Sequence, residues 1–204
     1  MRPLLKIDEV VMSEHMALSW ADECYYLLEF FPGKRYGFRP DNDLIKNFKR
    51  RIDRCEAIAL KQKEWAIRDA ALLLRPALVS LLDFASMTIV PIPPSRVRSN
   101  LYYDDRVARV LRLASPAGAD IRELIVCRED QTPAHHSATR PSVTSLLENY
   151  ALGEVGVGPV RDRVVLFDDL VTSGNHFVAC RRFLLGHFPG REVMGLFLAR
   201  RVLA

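Results

Sequence analysis

Hydrophobic and polar residues follow two different patterns along this chain of 204 residues. Through about residue 85, apolar residues recur at spacings of three and four, which is typical of amphipathic helices. From residue 86 onward, short apolar runs alternate with helical patterns, which is typical of a parallel sheet with helical crossovers. We therefore predict an α/β domain over 86–204, preceded by a mostly helical, aromatic-rich cap or hood over 1–85.

Two long helices are predicted in the first part of the chain. The first begins at Asp41 or Asn42 and runs to Ala59, with its apolar residues on one face. The second covers residues 65–82, and Pro76 inside it predicts either a kink or a new start. The aromatic residues before them predict a packed cap or, alternatively, a base-stacking or partner-binding surface.

The second part of the chain is predicted to contain five strands and two helices. The strands cover residues 87–93, 123–127, 148–152, 163–167 and 191–200, and the helices cover 104–114 and 175–187. Hydrophobic residues in 128–146 do not recur at the spacing of a helix or of a strand, so we expect a long loop there. Loops of this length are uncommon in compact domains and are often functional.

One segment of the second part carries the clearest chemical signal. A buried strand at 163–167 leads into the acid pair Asp168-Asp169, then the turn Thr172-Ser173-Gly174, then the helix predicted from Asn175. In open α/β sheets ligands bind outside the carboxyl ends of strands. Because a helix N-terminus favours phosphate, the segment predicts a site for a phosphorylated sugar. The alternative is an ordinary turn whose acids cap the helix.

A second candidate site follows the strand predicted at residues 87–93. There the prolines end the strand, and Ser95, Arg96 and Arg98 come directly afterwards. A turn that carries arginine and serine can hold a diphosphate through charge-assisted hydrogen bonds. The alternative is a plain proline-rich turn with exposed arginines.

Composition narrows the classes of function. The net charge of +4, from 29 basic and 25 acidic residues, favours an anionic ligand but does not by itself indicate nucleic-acid binding. The four cysteines form no Cys-x-x-Cys pair, which argues against a structural zinc site. With no secretory signal and no apolar run of about 18 residues, we expect no membrane span and a cytoplasmic location with reduced thiols.

The segment from Val164 to His176 resembles the phosphoribosyl pyrophosphate (PRPP) motif of type I phosphoribosyltransferases, and the match extends through Gly174. The wider region of about 86–200 resembles the ComF-like branch of that superfamily. The residues that carry this second resemblance are Val90, Pro91, Pro93, Arg96, Arg98, Arg128, Thr132-Pro133, Arg140 and Asn149-Tyr150.

The resemblance implies a type I phosphoribosyltransferase-like fold and the displacement of pyrophosphate from PRPP by a nitrogenous acceptor. Asp168, Asp169 and Arg96 would be catalytic, with the two acids binding the ribose hydroxyls directly or through Mg²⁺. The 5′-phosphate would be wrapped by Thr172, Ser173, Gly174, Asn175 and His176, and the pyrophosphate held by Ser95, Arg96 and Arg98. A mobile loop with His135, His136 and Arg140 would close over the ligand, and a homodimer is expected.

Two departures from the family pattern keep other functions open. His176 stands where the family has threonine or serine, and Thr172 stands where hypoxanthine/guanine enzymes carry an acid. The second departure argues against that activity and leaves the acceptor undetermined. One alternative is a catalytically weak regulatory protein that binds PRPP or a nucleotide. The other is a ComF-like factor that handles nucleic acid through the basic helix at 46–54.

Overall fold

The computed structural model describes residues 2–54, 56–81, 83–131, 141–153, 156 and 158–203. Its strands are β1 Leu5–Lys6, β2 Cys24–Phe30, β3 Met87–Pro91, β4 Asp120–Ile121, β5 Ile125–Cys127, β6 Tyr150–Leu152, β7 Arg163–Val171 and β8 Glu192–Arg201. Its helices are α1 Glu9–Met12, α2 Pro40–Phe48, α3 Ala57–Leu81, α4 Arg106–Ala114, α5 Val143–Asn149 and α6 Asn175–His187. A short 3₁₀ helix covers Ile52–Arg54. No helix among the described residues is long and apolar enough to cross a membrane.

Six strands form one sheet in the order β1-β2-β8-β7-β3-β4. All neighbouring pairs are parallel except β1 with β2, and the central register places Val165 of β7 between Ile89 and Met194. Strands β5 and β6 form a separate antiparallel ribbon. The predicted α/β architecture, with a mostly parallel sheet, is therefore confirmed.

The first 85 residues contribute two strands to this sheet in addition to the helices α1, α2 and α3, and the sequence did not predict these strands. Strand β2 pairs in parallel with β8, and β1 continues the edge in the antiparallel direction. The run Cys24–Phe30 is almost continuously apolar, and such a run cannot be assigned to strand or helix from its period. Because β2 lies within the main sheet, the sheet crosses the boundary predicted at residue 86.

Helices cover both faces of the sheet. On one face α2, α3 and α4 pack against β3, β7 and β8, in a core that includes Ile67, Leu74 and Phe167. On the other face α6 packs in a second core that includes Phe177 and Phe197. Burying both faces of a parallel sheet removes its apolar surface from water and accounts for the nearly unbroken apolar run in β7.

The helix predicted to run to Ala59 ends at Phe48 instead. The buried ammonium of Lys63 donates to the carbonyl oxygens of Phe48 and Arg50, both at 2.8 Å, and pairs with Asp104 at 2.8 Å. Carbonyls at a helix end have no intrahelical partner, so this cation stabilises the end of α2. Helix α3 continues through Pro76, so no new helix starts there.

Candidate functional site

The predicted phosphate loop is formed between β7 and α6. Helix α6 begins at Asn175, as predicted, whereas β7 extends to Val171 and includes both acids. Gly174 has a φ of +88°, a left-handed backbone that favours glycine. This conformation turns the chain from the strand into the helix, whose first N–H groups have no intrahelical partner.

A segment from the N-terminal part of the chain supports this loop, which the sequence did not predict. Buried His15 donates from Nδ1 to the Thr172 carbonyl oxygen at 2.5 Å, and the Ala17 N–H donates to the Ser173 carbonyl oxygen at 2.8 Å. A Cβ on Gly174 would lie 2.7 Å from the Leu18 side chain. These contacts fix the loop backbone.

The two neighbouring acids have different surroundings. Asp168 is partly exposed, and its Oδ1 accepts the N–H of Asp169 at 2.7 Å. Asp169 is only 2% exposed; Lys49 Nζ lies 2.7 Å from its Oδ1, and Arg106 donates to its Oδ2 at 2.6 and 2.9 Å. Successive strand residues point to opposite faces, so one acid lies towards α6 and the other towards α2 and α4.

Ion pairing dominates the electrostatics of Asp169. Burial alone would raise the pKa of this carboxyl, but Lys49 and Arg106 more than offset burial and hold its pKa well below the ordinary value. For Arg106, burial alone would lower the pKa, but Asp169 and Asp104 raise it above the ordinary value. Asp169 is therefore an ionised, fully paired carboxylate that joins three parts of the chain.

The pKa of Asp168 is shifted in the opposite direction from that of Asp169. Desolvation, followed by the charge of Asp169, raises its pKa to about 7, although Lys49 opposes this. Burial and the charge of Lys49 lower the pKa of nearby His176 to about 4, so its imidazole is neutral at pH 7. His176 Nδ1 lies 3.4 Å from the Tyr150 hydroxyl. This part of the site can donate and accept hydrogen bonds, but it adds no positive charge.

The predicted pyrophosphate loop is held by internal carboxylates. Arg96 donates to Asp53 at 3.0 Å, and Arg98 pairs with Glu123. The Val97 N–H donates to Asp130 at 2.9 Å. Ser95 is exposed, and its carbonyl oxygen accepts the N–H of Gln131 at 2.7 Å. A bound diphosphate would compete with these carboxylates for the same donors.

A small pocket with apolar walls from β3 and α4 lies beside this loop. Arg96 and Arg98 line it together with Tyr103, Asp105 and Glu123. It therefore combines apolar walls with carboxylates that could accept hydrogen bonds from a nitrogenous molecule.

The fit of Mg²⁺ differs between the two acids. Both oxygens of Asp169 are occupied by cationic partners, so this residue does not fit a metal ligand. Among the described residues, only Oδ1 of Asp168 accepts a hydrogen bond, so Oδ2 could bind a cation. Mg²⁺ commonly binds through one or two carboxylates together with substrate phosphates. No group of three or more metal-ligating side chains is found within the part of the chain that the structure describes.

The residues of the predicted mobile loop, His135, His136 and Arg140, lie outside the described residues. One contact joins the end of that segment to the phosphate loop: the Asn175 side chain donates to the Pro141 carbonyl oxygen at 2.8 Å. Closure of the loop over a ligand stays a prediction.

Sequence reasoning missed four residues that shape the site: His15, Lys49, Asp53 and Arg106. Lys49 belongs to a basic run that reads as solvated surface, yet it contacts an acid 120 positions away. The other three have no motif around them. Only folding brings them to the predicted residues, because His15 contacts Thr172 and Asp53 contacts Arg96 across long stretches of chain.

No protein-family model matches the chain, and no curated protein matches it.

Proposed function

We propose that the protein binds PRPP at the carboxyl edge of β3 and β7 and transfers its phosphoribosyl group to a nitrogenous acceptor. The observation that carries this proposal is the strand–loop–helix unit of residues 163–187. There Gly174 adopts a left-handed backbone and joins β7, which carries the partly exposed Asp168, to the first turn of α6. Free N–H groups and a hydroxyl-rich turn suit the 5′-phosphate, and an adjacent carboxylate suits ribose hydroxyls.

The residues divide the task between the two ends of PRPP. Residues 172–176 hold the 5′-phosphate through backbone N–H groups and hydroxyls, with neutral His176 as one further hydrogen-bonding group. Asp168 accepts a ribose hydroxyl, and Arg96 and Arg98 hold the diphosphate after exchanging their carboxylate partners. When bound, Mg²⁺ would neutralise the leaving diphosphate, and Asp168 is the carboxylate placed to hold it.

Calorimetric titration of PRPP, with and without Mg²⁺, tests the binding step, with ribose 5-phosphate as the control ligand. We expect micromolar PRPP binding that Mg²⁺ strengthens and that exceeds the control. Asp168→Asn should weaken binding about ten-fold, since a neutral amide is a poorer partner for hydroxyls and for Mg²⁺. Equal binding of PRPP and ribose 5-phosphate would remove the transferase proposal.

A second candidate is a regulatory protein that binds PRPP or a nucleotide without turnover. It is favoured by the carboxylates that already occupy Arg96, Arg98 and the Val97 N–H. An enzyme must exchange these contacts in every cycle, whereas a sensor needs to exchange them once. Pyrophosphate release in a screen of nucleobase and amine acceptors would decide for the transferase; tight binding without release would decide for the sensor.

Nucleic-acid handling has less support from the geometry. In the basic run, Lys49 pairs with Asp169, Arg51 pairs with Asp53, and Lys46 donates to the Lys34 carbonyl oxygen. These internal partners reduce the charge that is free for phosphates. Binding to DNA or RNA that falls steeply between low and physiological salt would restore this candidate.

A further inference from the structure

The solvent face of α3 carries a regular line of large apolar side chains. Ile58, Trp65, Leu72 and Val79 are 71%, 59%, 70% and 61% exposed, and each is seven residues from the next. The buried face of the same helix is a separate set of residues that includes Ile67, Leu74 and Leu78. The exposed line is therefore additional to what α3 needs for packing in its own core.

The spacing indicates what kind of surface this is. Single exposed apolar residues are ordinary, but four that repeat at one position of a helix favour an interaction site. Seven residues fall about 20° short of two full turns, so the four side chains drift by only about 60° along the helix. The line supplies one of the two core positions per heptad that a helix–helix seam uses, and it is narrower than the broad apolar face of a helix lying on a membrane.

A row of basic residues runs beside the apolar line. Lys61, Arg68 and Arg75 each follow an apolar residue of the line by three positions, and all three are exposed. Arg75 is oriented by donating to the Leu113 carbonyl oxygen at 2.7 Å. The opposite border of the line is less charged, with Gln62 and Asp69 at the corresponding positions.

A groove borders the line at its middle. It lies between α2 and α3, and Pro40, Leu44, Gln62 and Trp65 are among its lining residues. A side chain of a docked helix can enter this groove beside Trp65. Aromatic residues at the border of a groove are frequent anchors of protein interfaces.

We propose that this face of α3 docks an amphipathic helix of another protein, one that carries acidic residues beside a seven-residue apolar repeat. The basic row supplies the charge complementarity, and the apolar line supplies the buried contact.

A second copy of α3 fits this face less well. In an antiparallel pair the same borders face each other, so Lys61, Arg68 and Arg75 would meet the partner's basic row. In a parallel pair, Lys61, Arg68 and Arg75 would face the other border of the partner's line, which consists of Gln62, Asp69 and Pro76. Asp69 is the only acid among these three residues. Like charges opposite each other oppose association.

Two synthetic peptides of about 28 residues test the proposal, since four heptads are long enough to cover the line. One has leucine at every seventh position with glutamate on the flanks, and the other has lysine in place of glutamate. The protein has two tryptophans, so Trp20→Phe leaves Trp65 as the only reporter of binding. We expect the acidic peptide to shift Trp65 emission to shorter wavelength, with a Kd about ten-fold below that of the basic peptide.

Two sets of variants locate the contact. Leu72→Asp should abolish binding, and the pair Lys61→Glu with Arg68→Glu should reverse the preference towards the basic peptide. Val10→Asp is the matched control: Val10 is 82% exposed but lies on α1, whose Met12 packs in the other core. Because all of these positions are exposed, a thermal melt should confirm that each variant folds.

Five results would overturn the proposal. The first three are equal binding of the two peptides, binding of neither, and unchanged binding by Leu72→Asp. The fourth is a monomer–dimer equilibrium in light scattering that Leu72→Asp abolishes, which would assign the face to a second copy. The fifth is sedimentation with anionic vesicles that Leu72→Asp abolishes, which would assign the face to a lipid surface.

Discussion

The two loops at the carboxyl edge of the sheet are built in different ways. The loop after β7 is held through its backbone, by His15 and Ala17, which contact carbonyl oxygens and leave the hydroxyls of the turn available. The loop after β3 is held through side chains and an N–H group that would themselves be needed for a diphosphate. The first loop is thus prepared for an anion, whereas the second must exchange partners before it can bind one.

The neighbouring acids repeat this contrast within two residues of β7. Asp168 is partly exposed and has an available oxygen, whereas Asp169 is buried between Lys49 and Arg106. A pair that looks symmetric in the sequence therefore separates into a partly exposed carboxylate and a buried, ion-paired one. This division can be tested one residue at a time.

The largest effect is expected from Asp169→Ala. Removing the carboxylate leaves Lys49 and buried Arg106 without their common partner, and breaking a buried pair from one side typically costs about 3–5 kcal/mol. Urea denaturation measures this loss in the free energy of unfolding. Asp162→Ala is the control, because the Asp162 side chain is 92% exposed and its ion pair with Arg191 is long, at 3.4 Å. A near-zero change in the free energy of unfolding is therefore expected. Equal small losses in both variants would contradict the structural role of Asp169.

Gly174→Ala should break the prepared loop. The left-handed backbone and the approach of Leu18 to 2.7 Å predict a loss of about 1–3 kcal/mol in stability and the loss of detectable ribose 5-phosphate binding. Gly186→Ala lies in the same helix, where an added Cβ meets nothing within 4 Å. That control should be neutral or stabilise by about 0.5–1 kcal/mol. The prediction is wrong if the two alanine variants bind alike.

The pH dependence of PRPP binding should follow Asp168. Its folded pKa of about 7 lies above its ordinary value, so the carboxyl is protonated below pH 7 and ionised above it. Only the ionised form accepts hydroxyls well or holds Mg²⁺, so affinity should rise by about ten-fold in total as the pH rises through 7 and then level off. Calorimetry at a series of pH values measures this. In Asp168→Asn the slope should disappear; an unchanged slope would assign the titration to another group.

The smallest effect should come from releasing the second loop. Asp53→Asn removes the charge of the carboxylate that pairs with Arg96, so Arg96 becomes more available to the diphosphate. PRPP should therefore bind about three-fold more tightly, while ribose 5-phosphate binding stays unchanged. Comparing the two ligands separates the diphosphate loop from the phosphate loop. Tighter binding of both ligands, or of neither, would show that Arg96 does not contact the diphosphate.

The sequence predicted those parts of the protein that depend on neighbouring residues. The strand–turn–helix order around Gly174, the start of α6 at Asn175 and the parallel α/β class all follow from local patterns. It failed for β2, because an almost continuous apolar run has no period that separates strand from helix. It also failed at Phe48, where α2 ends because Lys63, 15 residues away, binds the last carbonyls.

By itself, then, the sequence determined the strand–turn–helix order around Gly174 and the chemical types of residue at the edge of the sheet. Only the tertiary structure decided which of those residues are available to a ligand. The pairing of Asp169 with Lys49 and Arg106 joins residues 120 and 63 positions apart, and Arg96 meets Asp53 across 43 positions. A charge is neutralised by whatever folding brings within a few ångströms of it, and no local pattern records that distance.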